Sequence, residues 1–142
     1  MSDKTPGIAD YPLAEKRPDL VRTADGKPLD ALTLEAVESG EVGMESLAIT
    51  PTALRQQAAV ARAAGRETLA QNFERGAELV AVPQEVIMAA YELLRPGRAE
   101  SKQSLLEMAA RLRDDYAAPG IAAFLEEAAE VYEARGLFTY RF

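Results

Sequence analysis

Residues 119–136 read PGIAAFLEEAAEVYEARG and carry the most regular apolar pattern in the chain. Apolar side chains recur there at intervals of three and four residues, which is the spacing of one face of an α-helix. They are Ile121, Phe124, Leu125, Ala128, Val131 and Tyr132. Pro119-Gly120 precedes this stripe and Gly136 follows it, as is typical of the start and the stop of a helix. The segment therefore predicts an amphipathic helix.

Four further segments upstream show the same periodicity, separated by Pro and Gly residues. Thr50 and Pro51 are the expected cap and first residue of the first of them. The predicted helices cover about residues 51–64, 66–80, 83–95 and 101–116. The apolar stripe of the second of these helices predicts that Phe73 is a core residue. The stripe of the last helix predicts the same for Phe124. We predict an all-α fold, with a helical bundle of about five helices over residues 51–136.

Residues 1–50 are predicted to form an irregular N-terminal arm, and residues 51–142 the bundle with a short aromatic tail. Pro and Gly recur too often in the arm for long elements, although one short helix is predicted over residues 29–39, ending at Gly40. The arm also carries more large apolar side chains than a solvated tail needs: Tyr11, Leu13, Leu20, Val21, Leu29, Leu32 and Leu34. These side chains predict either a partner-binding element or a cover for the bundle, and both interpretations stay open.

The composition excludes several kinds of chemistry. The 142 residues include no Cys and no His, which excludes disulfides, thiolate nucleophiles, Ser-His-Asp triads and imidazole metal ligands. Ala supplies 27 of the 68 hydrophobic residues, so the core should be thin and completed in part by a partner. A net charge of −7 disfavours nucleic-acid binding. No apolar run reaches the roughly 20 residues of a membrane span, and no signal segment is recognised, so we expect a cytoplasmic protein.

Two charged clusters are candidates for a binding site. On the last predicted helix, the carboxylates lie on one face or beside it: Glu126, Glu127, Glu130 and Glu133. With no His to complete a helical metal site, we expect this face to be solvated or to meet arginines on a partner. Arg55, Arg62 and Arg66 form a stripe that could bind phosphates or a partner's carboxylates, but a solvated face or one paired within the chain is the expected arrangement.

Other polar and aromatic features have simpler interpretations. Residues 95–98 (RPGR) predict a helix stop with two surface arginines. Glu107 with Arg111, and Arg111 with Asp115, are expected to form ordinary helix ion pairs. In the tail, alternating rings predict an extended segment that anchors an interface, with a frayed terminus as the alternative. These rings are Phe138, Tyr140 and Phe142. No catalytic, cofactor-binding or metal-binding residue is identified.

Several strings, in order along the chain, resemble the small (gamma) subunit of coenzyme-dependent diol and glycerol dehydratases. The strings are DYPLA at 10–14, TADGKPL at 23–29, NFER at 72–75, AVP at 81–83 and LRP at 94–96. The resemblance extends over about residues 10–135. No single string is diagnostic, but their order and spacing together are specific to this family.

The resemblance implies a subunit of an adenosylcobalamin-dependent lyase that converts propane-1,2-diol or glycerol to an aldehyde and water by a radical mechanism. Such enzymes are dimers of heterotrimers with large, medium and small chains. The substrate and metal ions lie on the large chain, and cobalamin lies between the large and medium chains. The small chain docks on the large one, supplies no catalytic residue and binds no cofactor alone.

Two departures from the family pattern bear on this interpretation. Nine residues precede Asp10, so we expect the long segment linked to packaging in bacterial microcompartments to be absent. The C-terminal tail is the second departure, because it lacks the polar or Lys-rich character usual in the family. The string SGEVG at 39–43 is closer to glycerol dehydratases than to diol dehydratases. The alternative function from the residues alone is a stand-alone acidic helical protein-interaction module.

Overall fold

A computed structural model describes residues 5–138 of the chain. These residues form eight α-helices and three short 3-10 helices and contain no β-strand, which confirms the all-α prediction. The chain divides into two compact units between Val80 and Ala81, and the arm shares the first unit with two long helices. The division into domains 1–50 and 51–142 stays a prediction. No helix within residues 5–138 has the length and apolar character needed to cross a bilayer.

The N-terminal arm contains short helices. They are the 3-10 helices Ile8–Asp10, Pro18–Leu20 and Leu29–Ala31, and the α-helices α1 (Leu13–Lys16), α2 (Leu34–Glu38) and α3 (Met44–Leu47). The single helix predicted over residues 29–39 is wrong, because Thr33 caps α2 and interrupts it. The Thr33 hydroxyl oxygen accepts a hydrogen bond from the Ala36 amide at 3.2 Å. Gly40 follows α2 with a φ of 80°, the left-handed conformation common just beyond a helix end.

Helices α4 (Pro51–Ala63) and α5 (Glu67–Leu79) complete the first unit and lie close to the predicted bounds. Thr50 caps α4 as predicted, since its side-chain oxygen accepts a hydrogen bond from the Ala53 amide at 3.0 Å. The buried residues between these helices are small: Ala58, Ala61 and Ala70, with half-buried Leu69 and Phe73 packed against them. Phe73, predicted in the core, thus lies at the edge of this core and also lines a surface groove. An alanine core buries little apolar area per residue, so it contributes little hydrophobic stabilisation.

The second unit consists of α6 (Gln84–Leu94), α7 (Lys102–Tyr116) and α8 (Pro119–Ala134), again close to the predicted bounds. Helices α7 and α8 pack against each other. Their buried side chains are Leu105, Ala109, Leu112, Ala122, Leu125 and Ala129. The Tyr132 hydroxyl donates a hydrogen bond to the Leu94 carbonyl oxygen, which joins α8 to the end of α6.

Only part of the apolar stripe predicted on α8 is buried. Leu125 is 1% exposed, whereas Phe124 is 41% exposed and Val131 is also exposed. The prediction that Phe124 is a core residue is therefore wrong. Successive residues on a helix point about 100° apart, and it is Leu125 that points into the buried stripe while Phe124 points away from it. The small residues Ala122 and Ala129 complete the buried stripe instead.

Candidate interaction surface

Three of the four acidic side chains of α8 are paired with basic side chains of α7. Lys102 Nζ lies 2.8 Å from Glu130 and 2.7 Å from Glu133, and Arg113 lies 2.8 Å from Glu126. The hydrogen bonds of Lys102 to Glu130 and then to Glu133 raise the pKa of the Lys102 ammonium. In residues 5–138, no acidic side chains are grouped so as to hold a metal ion. Glu130 and Glu133 are exposed as expected, and both are paired with Lys102 of the same chain.

The three arginines of the predicted stripe are not assembled into one site. Arg62 lies 2.7 Å from Glu74 and 3.0 Å from Glu67. Hydrogen bonding to Glu74 and then to Glu67 raises the pKa of Arg62, and its guanidinium lowers the pKa of both glutamates. Arg55 and Arg66 line two different surface grooves. The expected pairing within the chain is thus confirmed at Arg62.

The helix stop predicted at residues 95–98 is confirmed. Helix α6 ends at Leu94, and Gly97 has a φ of 76°, which reverses the chain direction without a side-chain clash. Arg95 and Arg98 are both exposed, and Arg95 forms an ion pair with Glu92 at 3.1 Å. This loop therefore has the structure of an ordinary helix end.

The two ion pairs predicted along α7 are absent from the described part of the chain. Glu107 instead accepts a hydrogen bond from Gln103 Nε2 at 3.2 Å. Arg113 and Lys102, also on α7, are the basic residues that reach across to α8. Local spacing on one helix therefore does not identify which pairs form, since the cations of α7 that form ion pairs are Lys102 and Arg113, and their partners lie on α8.

A polar cluster that the sequence does not reveal holds α3 in place. Asp25 accepts hydrogen bonds from the Thr23 hydroxyl, from the Lys27 ammonium, and from Ser46 Oγ at 3.3 Å. The bonds from Lys27 and then Thr23 lower the pKa of Asp25 to about 2. Ser46 is a buried residue of α3. The cluster thus fixes α3 against the turn at residues 23–27.

The surface beside this cluster is apolar and solvent-exposed. A groove of about 220 Å³ is lined mainly by apolar side chains, with Arg22 and Lys27 also at its wall. The large apolar side chains are Val21, Leu29, Leu32, Leu47 and Ile49. Leu47 and Ile49 are exposed, and Met44, on the same short helix as Leu47, is 82% exposed. Isolated exposed apolar side chains are common, but several large ones in one short segment are typical of a surface that contacts another molecule.

The two interpretations of the arm, a cover for its own chain and a partner-binding element, apply to different parts of it. Leu13 is buried within the first unit, so the beginning of the arm covers apolar side chains of its own chain. By contrast, Leu34 on α2 is 74% exposed. The second half of the arm, with α2 and α3, is the part that resembles a partner-binding surface.

The aromatic tail is described only at its start. Phe138 lies in a turn and packs against Tyr132, with ring centroids 6.3 Å apart and planes inclined by 60°. Tyr140 and Phe142 lie outside the described residues. The proposed role of the three rings at an interface stays a prediction.

Comparison with known proteins identifies the family. Residues 7–139 match a family model described as "Dehydratase small subunit". The chain is 49% identical over 128 residues to the propanediol dehydratase small subunit of Salmonella typhimurium, covering 90% of this chain and 73% of that protein. It is 48% identical over 134 residues to the propanediol dehydratase small subunit of Citrobacter freundii, covering 94% and 77%. The chain therefore belongs to the family of dehydratase small subunits, which are components of multi-subunit lyases.

Proposed function

We propose that this chain is a non-catalytic structural subunit of a diol or glycerol dehydratase, which converts propane-1,2-diol or glycerol to an aldehyde and water. The family match over residues 7–139 is the observation that carries this proposal. The two relatives named as propanediol dehydratase subunits favour propane-1,2-diol as the substrate of the assembly. The string at residues 39–43 favours glycerol, so both diols belong in the assay.

The family implies adenosylcobalamin as the cofactor of the assembled enzyme, but the residues of this chain do not fit a cobalamin site. With no His and no Cys, the chain offers cobalt neither an imidazole nor a thiolate. Five surface grooves of the described residues range from about 220 Å³ to about 330 Å³. Pockets for drug-sized ligands measure about 300–1,000 Å³, and cobalamin is larger than such ligands. We therefore assign the cofactor and the chemistry to partner subunits and no reaction step to this chain.

The proposed partners are a large and a medium dehydratase chain, in a dimer of heterotrimers in the bacterial cytoplasm. The exposed apolar side chains of α2 and α3 support association with another protein. The alanine-rich core of the first unit supports it as well, because such a unit gains stability when a partner binds its folded form. By the same linkage, this subunit stabilises the folded state of the assembly.

Reconstitution from three separately purified chains tests this proposal. Aldehyde production and heat stability are measured with all three chains, with each chain omitted in turn, and with this chain alone. We expect the complete mixture to be active, omission of this chain to reduce activity or heat stability, and this chain alone to form no aldehyde.

Three results would contradict the proposal. Large and medium chains that are fully active and equally heat-stable without this chain would exclude the structural role. Aldehyde formed by this chain alone would exclude a non-catalytic one. Failure to co-elute with either partner would favour a stand-alone interaction module.

A further inference from the structure

We propose that residues 28–54 form a docking face for a dehydratase partner subunit, and that the partner presents there an apolar surface bordered by Arg or Lys side chains. The docking face is defined by exposed apolar residues and by the carboxylates around them: Leu34, Met44, Leu47, Ile49, Asp30, Glu35, Glu38, Glu41 and Glu45. This inference rests on the proposed function and specifies which surface of the subunit binds the partner.

The charge of this segment is the first argument. Between Lys27 and Arg55 the chain contains five acidic residues and no basic one, out of a net charge of −7 for the whole chain. All five carboxylates are on exposed residues, and within the described part of the chain none of them forms an ion pair. A cluster of unmatched carboxylates around apolar side chains is complementary to a basic rim on another protein.

The arrangement of the apolar residues is the second argument. Leu34 and Val37 are three residues apart on α2, and Met44 and Leu47 are three apart on α3, so each pair shares a helix face. Leu47 and Ile49 border the groove of about 220 Å³, which offers space for an apolar side chain of the partner. Burying such residues supplies the driving force for association, while the carboxylates set its orientation and rate.

The Asp25 cluster shows that α3 is held in place before a partner binds. Ser46, between the exposed Glu45 and Leu47, is buried and hydrogen-bonded to Asp25. A surface that is already ordered loses less conformational entropy on binding. This favours a rigid docking face over a segment that folds on contact.

A second copy of this chain is a poor occupant of the docking face. A symmetric dimer through this surface would place the same patch on both sides, because a two-fold interface is self-complementary. The five carboxylates would then oppose five carboxylates. Two basic residues line the same groove, Arg22 and Lys27, and Lys27 is already paired with Asp25, so the acidic charges of the two faces would still exceed the basic ones. Like charges facing each other across an interface oppose association.

Binding kinetics on the large–medium complex test this inference with two variants. The first, Met44→Ser with Leu47→Ser, removes exposed apolar contacts and should raise the dissociation rate by about tenfold or more. The second replaces the four glutamates by Gln at positions 35, 38, 41 and 45. It should slow association by about tenfold at low salt and much less at high salt, because salt screens the steering charges.

Matched controls on the second unit carry the same kinds of change. The apolar control is Met88→Ser with Tyr91→Ser, two exposed residues of α6. The charge control replaces four exposed carboxylates: Glu85→Gln, Glu100→Gln, Asp114→Asn and Glu127→Gln. Both controls should bind with wild-type rates. Circular dichroism of each variant checks that the helices remain, and the Gln variant provides the test if the Ser variant fails to fold.

The outcomes separate this inference from the proposed function. If the wild-type chain does not bind the large–medium complex, the proposed function fails. If the wild type binds and both docking-face variants keep its rate constants, or if the controls weaken binding instead, the docking face is misplaced. Dimerisation of the wild-type chain that Met44→Ser with Leu47→Ser abolishes would show that a second copy occupies this face.

Discussion

Two acidic surfaces of this chain look alike in the sequence and differ in the structure. On α8, Glu126, Glu130 and Glu133 pair with Arg113 and Lys102 of the neighbouring helix. Around α2 and α3, five carboxylates have no ion-pair partner among the described residues, and exposed Leu and Met side chains lie between them. On the first surface, three carboxylates are paired with cations of the neighbouring helix, whereas on the second surface no carboxylate is paired within the described part of the chain.

The difference shows how an interaction surface is recognised in a small acidic subunit. The number of carboxylates is uninformative, because both surfaces are rich in glutamate. The distinguishing features are the cations within reach and the burial of the apolar residues on the same helices. On α8 a buried stripe accompanies the paired acids, while α2 and α3 expose their large apolar residues. We therefore expect changes on α7 and α8 to affect folding, and changes on α2 and α3 to affect assembly.

The largest expected effect is the loss of stability from a cavity in the α7–α8 core. Leu125→Ala should lower the free energy of unfolding by about 2–5 kcal/mol, since it deletes a fully buried side chain. Met44→Ala, on the docking face, should change it by no more than about 0.5 kcal/mol. Urea denaturation followed by circular dichroism measures both. Equal losses of stability in the two variants would remove the distinction between the surfaces.

A smaller effect is expected where α8 is joined to the end of α6. Tyr132→Phe removes the hydroxyl that donates to the Leu94 carbonyl oxygen and should lower the free energy of unfolding by about 0.5–1.5 kcal/mol. Tyr91→Phe is the matched control, because Tyr91 is exposed on α6. If both variants unfold at the same urea concentration as the wild type, the Tyr132 hydroxyl does not stabilise the unit.

The Asp25 cluster predicts a dependence of stability on acid pH. The pKa of Asp25 is about 2 in the folded chain and lies below its ordinary value of 3.8, so the folded state favours the ionised carboxylate. The resulting stabilisation is complete above pH 4 or so and is lost as the pH falls towards about 2. Asp25→Asn should abolish this part of the acid unfolding curve, and Asp30→Asn should not. An unchanged curve for Asp25→Asn would contradict the role of the cluster in positioning α3.

The smallest expected effect concerns the paired acids of α8. Lys102→Gln removes the cation shared by Glu130 and Glu133 and should lower the stability slightly at low salt, and less at high salt. Its binding to the large–medium complex should match that of the wild type. Urea denaturation at two salt concentrations measures the change, and a large loss that salt does not reduce would mean that Lys102 has another structural role.

Local signals made the long helices predictable. Thr50 and Ser101 cap α4 and α7, and Pro or Gly residues separate the helices, so each boundary depends on residues close in sequence. The interruption at Thr33 also has a local cause, a capping hydrogen bond, but the apolar spacing across residues 29–39 obscured it.

The remaining errors concern features that depend on packing between elements distant in the sequence. Phe124 and Leu125 are both apolar, and packing of α7 against α8 determines which of them is buried. Asp25 and Ser46 are far apart in the sequence, so their hydrogen bond cannot be inferred from spacing. The contrast between the two acidic surfaces was likewise invisible, since the cations that pair with α8 come from another helix.

Site-specific cross-linking in the assembled enzyme is the most direct measurement of the docking face. A photoreactive residue is placed at position 44, within the docking face, or at position 88 on α6, and the assembly is irradiated after co-purification. We predict that position 44 cross-links to a dehydratase partner subunit and that position 88 does not. Cross-links from position 88 together with none from position 44, in an assembly of normal composition, would contradict the docking face.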